Sequence, residues 1–177
     1  MIHAYPVLFI CWMSNLLSST AMLKIIGLGN ILRGDDGIGP AVIEELRTVK
    51  FTFPIELIDA GGDAFNILDQ MISKQPLILI DCARMGEKPG EIVTFKLDQV
   101  NLKWAEQIVS LHGFGLSEIY QMAQHLGADA ECTIIAVEPK SIEFNTGLSQ
   151  EIRMSIPRII QTVIQESKNY AQKNINN

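Results

Sequence analysis

The chain has 177 residues, 47% of them hydrophobic and 19% charged, and a formal net charge of -6. That length suits one domain with a single core, and the composition is that of a globular protein rather than a disordered one. An acidic balance without a Lys/Arg cluster removes the simplest reason to bind a phosphate backbone, so no nucleic-acid partner is expected.

Residues 1–21 carry a short apolar run, Val7 to Met13, and small residues at Ser18 to Ala21. They contain no Lys or Arg, so the positive region of a secretory signal is missing, and the run is too short to cross a bilayer. The expectation is an N-terminal extension that is disordered or loosely packed. Cys11, Cys82 and Cys132 are odd in number and widely spaced, without a CxxC pair, which suits a reducing compartment.

Leu23 to Leu28 predicts a first strand. Ile38, Val42, Leu46 and Val49 then recur at helical spacing. Ile55 to Asp59 is a second strand and Phe65 to Ile72 a helix. Leu77 to Ile80, ending at Asp81, is the most apolar strand, a run expected where both faces are covered. After the turn signals Gly86, Pro89 and Gly90, Glu91 to Phe95 returns too soon for a helical crossover and is expected to be an antiparallel edge. Leu116 to Leu126 predicts a helix and Cys132 to Glu138 the last strand. Ser149 caps a long terminal helix, which Pro157 should kink or interrupt. The alternation implies a three-layer α/β fold: an open, mainly parallel, twisted sheet of about five strands, one edge strand antiparallel, with helices on both faces. One domain over residues 22–172 and a frayed tail at 173–177 complete the expectation.

In such a sheet, ligands bind beyond the carboxyl ends of the strands. Asp35 and Asp36, Asp59, Asp81 and Glu138 all fall there, and gathered carboxylates ask for a cation or a proton between them. Gly27 and Gly29 suggest a dinucleotide loop, but Leu32 stands where a third glycine is needed, so no nucleotide is expected. Asp36 alone reads as a helix cap. Pro40, favoured at the first helical position, would move the cap to Gly39 and leave Asp36 in the loop. Asp81 alone reads as a strand-end acceptor of backbone N–H groups, and His112, in a glycine-flanked loop, as a solvated histidine. Together, two carboxylates and an imidazole form a plausible set of donors for zinc or nickel. Cys82 is expected to be a buried structural cysteine, because neighbours on a strand face opposite ways and Asp81 takes the crevice side. Neither a nucleophile elbow nor an HExxH motif is present.

The runs GLGNILRGDDGIGPAVIEEL, LIDAGG, LILIDCARMGEKPGEI and SLHGFGL, in that order, resemble the hydrogenase maturation proteases. The resemblance implies a cytoplasmic, single-domain α/β endopeptidase that removes the C-terminal extension of a [NiFe]-hydrogenase large-subunit precursor once nickel is in place. It makes Asp36, Asp81 and His112 the metal ligands and Asp59 a supporting acidic residue. The nickel would arrive with the precursor, with another divalent ion able to substitute, and no membrane partner is implied. Whether the ion is a recognition element, a Lewis acid or a ruler for a carboxylate base stays open at this level. A non-catalytic nickel chaperone using the same ligands is the alternative.

Overall fold

The computed structural model describes residues 22–99, 109–110, 116–144 and 147–175. The strands are β1 (Leu23–Leu28), β2 (Ile55–Gly61), β3 (Leu77–Arg84), β4 (Ile92–Lys96), β5 (Val109–Ser110) and β6 (Cys132–Val137). The helices are α1 (Ile38–Leu46), α2 (Leu68–Ile72), α3 (Leu116–His125) and α4 (Gln150–Ile175), with 3-10 turns at Gly34–Gly37, Ala64–Ile67 and Leu97–Gln99. The sheet order is β2-β1-β3-β6-β4, with the two-residue β5 paired to the end of β3. All pairings along that path are parallel except β4 on β6, so the antiparallel edge expected from the early return of the chain is observed.

Side chains of β3 alternate between two cores. Leu77, Leu79 and Ala83 join Ile67, Met71, Ile119 and Ala123, so α2 and α3 cover one face. Ile78, Ile80 and Cys82 join Ile38, Val42, Ile152, Ile159 and Val163, so α1 and α4 cover the other. Burial on both faces explains the uninterrupted apolar run of β3, since neither side of that strand meets water.

Two expectations about helices change. Helix α1 is capped by Gly37, and Pro40 is its third residue rather than its first. A proline is tolerated there because the N–H groups of a first turn have no partner within the helix. Helix α4 runs unbroken through Pro157. An interior proline costs about 3 kcal/mol. Ile152, Ile159 and Val163, all fully buried on the sheet, offset that, each by roughly 1.5–3 kcal/mol.

Helix α1 reaches the sheet backbone to backbone. A Cβ on Gly39 would stand 2.2 Å from the Leu28 carbonyl oxygen and 2.9 Å from that of Ile80, and one on Gly27 would stand 2.4 Å from the Gly39 carbonyl oxygen. Only glycine at both positions lets the start of α1 lie across the ends of β1 and β3. That contact sets the 3-10 turn Gly34–Gly37 against β3.

Candidate functional site

Strand β1 hydrogen-bonds to β3 only as far as the Gly27–Ile80 pair, whereas β6 follows β3 to Cys82. Asp81 is therefore inside β3, not at its end, and sits where β1 has turned away. The extra length comes from pairing with partners distant in sequence: Ala83 and Arg84 pair antiparallel with Ser110 and Val109. Asp81 is 3% exposed, and its Oδ1 accepts the Cys82 N–H at 2.8 Å.

The chain leaves β1 through Gly29 (φ 142°), a conformation glycine adopts readily, and a Cβ here would lie 1.8 Å from the Asp36 carbonyl oxygen. The loop folds back on itself, and Asp36 Oδ2 accepts the Asn30 N–H at 3.0 Å. Asp36 is fully buried in the turn that precedes the Gly37 cap, and that cap has no side-chain hydrogen bond. Asp36 is thus not a helix cap, in line with the sequence reading, although Pro40 is not at the position used to argue it.

The other carboxylates separate by role. Asp35, 1% exposed, binds across the molecule: Oδ2 accepts the N–H groups of Lys140 and Ser141, both at 2.9 Å, and Oδ1 accepts that of Ser149 at 2.6 Å. The Ser149 hydroxyl donates to Oδ2 at 3.0 Å. Glu138 Oε2 accepts the N–H groups of Met85 at 2.6 Å and Glu87 at 3.1 Å, pinning the turn between β3 and β4. These two acidic residues are accounted for by backbone amides, which corrects the expectation that the whole acidic array calls for a cation. Asp59 is exposed on the edge strand β2, where its Oδ1 accepts the Gly61 N–H at 2.9 Å.

Cys82 reports the charge of this region. Burial, then the Asp81, Asp36, Asp35 and Glu138 carboxylates, push its thiol far above the ordinary thiol range. A buried thiol held above its ordinary range is a poor nucleophile, which agrees with the structural reading of Cys82. Asp36 and Asp81 are both buried, and the turn that holds Asp36 packs against β3.

His112 lies outside the described residues, as do His3 and Cys11. Among the described residues no group of three or more His, Cys, Asp or Glu is placed to hold a metal ion, so Asp36 and Asp81 by themselves do not complete a site. His125, on α3, is exposed, with Nδ1 2.7 Å from the Gln121 carbonyl oxygen, a local helix contact. A cavity of about 580 Å³ lined in part by Lys96, Tyr120, Gln124, Glu131 and Lys173 lies at the opposite, amino end of the sheet and contains none of Asp36, Asp59 and Asp81. No described helix is long and apolar enough to cross a membrane.

A family model described as hydrogenase maturation protease matches residues 40–166, a span that contains Asp59, Asp81 and His112 and begins four residues after Asp36. The hydrogenase 2 maturation protease of Escherichia coli is 27% identical over 147 residues, covering 80% of this chain and 88% of its own. The hydrogenase expression/formation protein HoxM of Azotobacter vinelandii is 26% identical over 147 residues, covering 81% and 70%. Among solved structures, the hydrogenase maturating endopeptidase HybD from E. coli superposes with a TM-score of 0.73 at 23% identity, over 84% of this chain and 93% of that one. The [NiFe] hydrogenase maturation protease HycI from Thermococcus kodakarensis gives 0.67 at 20% identity, over 87% and 97%.

Proposed function

Because this chain belongs to the hydrogenase maturation protease family, we propose that it removes the C-terminal extension of a nickel-loaded [NiFe]-hydrogenase large-subunit precursor, and that it recognises the nickel through Asp36, Asp81 and His112. The family makes the chain a maturation endopeptidase; the ligand set and the nickel are our reading. The observation that carries that reading is the burial of Asp36 and Asp81 together, where the turn holding Asp36 packs against β3. Gathered carboxylates suit a cation or a proton held between them. His112 follows Ser110 by two residues, and Ser110 is paired with Ala83, two residues beyond Asp81 on the same strand. Oxygen and imidazole donors suit nickel, and three protein ligands leave positions for groups of the precursor.

Nickel in this scheme is part of the substrate. Its capture by the three side chains fixes the precursor, so that the scissile peptide bond is held against the rim for attack by water. Water adds to the carbonyl carbon, the carbon–nitrogen bond breaks, and the amine leaves with a proton. Asp59, exposed on the same rim, is the supporting carboxylate, within the class of groups that accept a proton from attacking water.

The test is cleavage of the purified precursor. Nickel-loaded precursor should shorten and the nickel-free form stay intact, and Asp36→Asn or His112→Ala should reduce the rate by at least about a hundredfold. Full activity in either variant would overturn the ligand assignment. Tight nickel binding without shortening of any precursor would instead make the chain a nickel chaperone.

A further inference from the structure

The loop that leaves β1 closes on Asn30. The backbone N–H of Asn30 donates to Asp36 Oδ2 at 3.0 Å, its carbonyl oxygen accepts the Arg33 N–H at 2.9 Å, and its side-chain Oδ1 accepts the Leu32 N–H at 2.9 Å. The last of these is an Asx turn, in which an Asn side chain stands in for a backbone acceptor and bends the chain two residues on. Arg33 passes the constraint along, because its carbonyl oxygen accepts the Asp36 N–H at 3.2 Å. Asp36 is thus tied to the loop twice, through its backbone and through its carboxylate, and both ties run back to Asn30.

Asn30 is itself held from the side of β2. The Gly29 N–H donates to the Gly61 carbonyl oxygen at 2.8 Å, and a Cβ on Gly62 would lie 3.0 Å from the Asn30 Cβ and 3.6 Å from its side-chain nitrogen. The last torsion of a carboxylate is broad, so burial by itself does not decide which way the two oxygens of Asp36 face, whereas a fixed donor at one oxygen does. We infer that Asn30 is a positioning residue of the site: its side chain shapes the turn that aims its own N–H at Asp36, and so sets the direction in which Asp36 meets the nickel of the precursor. This rests on the function proposed above, in which Asp36 is a ligand. The backbone donor is present whichever residue other than proline stands at position 30; the turn is what the side chain adds. A Ser hydroxyl closes the same turn more weakly, Ala has no acceptor, and Gln carries its amide one carbon farther out.

The test uses the full chain and the nickel-loaded precursor. Wild type is compared with Asn30→Ala, Asn30→Gln, Asn30→Ser, Asp36→Ala and the double variant Asn30→Ala/Asp36→Ala. Cleavage is read as kcat/KM, beside Tm and the hydrogen-exchange protection of the residue-30 amide by NMR. Asn30→Ala and Asn30→Gln should lower kcat/KM by about 10–100-fold and lose the amide protection, and Asn30→Ser should recover part of both. In the Asp36→Ala background, Asn30→Ala should change kcat/KM by less than about twofold, because no carboxylate is left to aim. Single losses that multiply in the double variant would overturn the inference, since Asn30 would then act by touching the precursor or through general stability. Asn30→Ala within about twofold of wild type, beside an impaired Asp36→Ala, would overturn it and leave the function intact. Wild-type kinetics in Asp36→Ala would overturn both. Should Asn30→Ala fail to fold, Asn30→Ser, alone and with Asp36→Ala, carries the same comparison.

Discussion

Replacing Asp35 by Ala should be among the most destabilising single changes in the molecule, although Asp35 is separated by 105–114 residues from the groups it binds. The change leaves three backbone N–H groups and one hydroxyl without their acceptor. A hydrogen bond to a charged acceptor contributes about 1.5–3 kcal/mol, so the four together approach 6 kcal/mol at the low end. Water offsets part of this, because Lys140 and Ser141 are themselves exposed and their amides can be resolvated. The expected loss is about 3 kcal/mol, in the range that marks a broken buried network. For a domain of this size it lowers Tm by about 6–12 °C. A thermal melt by circular dichroism measures it, and amide hydrogen exchange should show the Lys140, Ser141 and Ser149 N–H groups losing protection first. Ser149→Ala, which removes the hydroxyl alone, should cost only about 1 kcal/mol. A Tm within about 2 °C of wild type for Asp35→Ala would refute the reasoning, because it would mean these bonds contribute nothing net.

Cys82 and Cys132 should resist alkylation at pH 8 in the folded chain and react only on unfolding, as read by mass mapping, since burial pushes the first thiol far up and the second to about 12. Cys82→Ala should keep precursor cleavage within a few-fold of wild type, and loss of all activity in a folded variant would restore a nucleophilic cysteine. At the other end of the sheet, the Lys96 ammonium and then Lys173 hold the Glu131 carboxyl below its usual value of 4.5. A depressed acid stabilises the fold above its unfolded value, so that contribution is complete above about pH 4.5 and fades as pH falls through the lower folded value. Lys96→Met should flatten this part of the acid limb of stability against pH, by a small amount because Glu131 is partly exposed; an unchanged limb would remove the assignment.

The strands were legible because each is a short apolar run with a turn signal beside it, and the antiparallel edge was legible from the short return between Asp81 and Ile92. What escaped depends on distant partners. Nothing in the Asp35-Asp36 doublet distinguishes the residue that accepts amides from the segment before the terminal helix from the one that accepts the Asn30 amide. Glu138 likewise looked like a further rim carboxylate until Met85 and Glu87 were seen to donate to it. Strand β3 outran its expected end for the same reason, because its last residues are held by β5 rather than by local propensity. Pro157 misled in the other direction, since propensity assigns it a break and packing of α4 on the sheet overrides it. Gly27 and Gly39 were visible in the sequence, but their mutual approach is a property of the assembled layers.

The Asp35–Ser149 link also has a bearing on when the protein becomes competent. During synthesis the loop containing Asp36 emerges early, but the donors that fasten its neighbour emerge 105 to 114 residues later. A ribosome-bound fragment ending before Lys140 carries the residues of β1, α1 and β3 while every amide donor to Asp35 is still missing. The loop bearing the proposed ligand is thus fastened last, by the segment that joins β6 to α4.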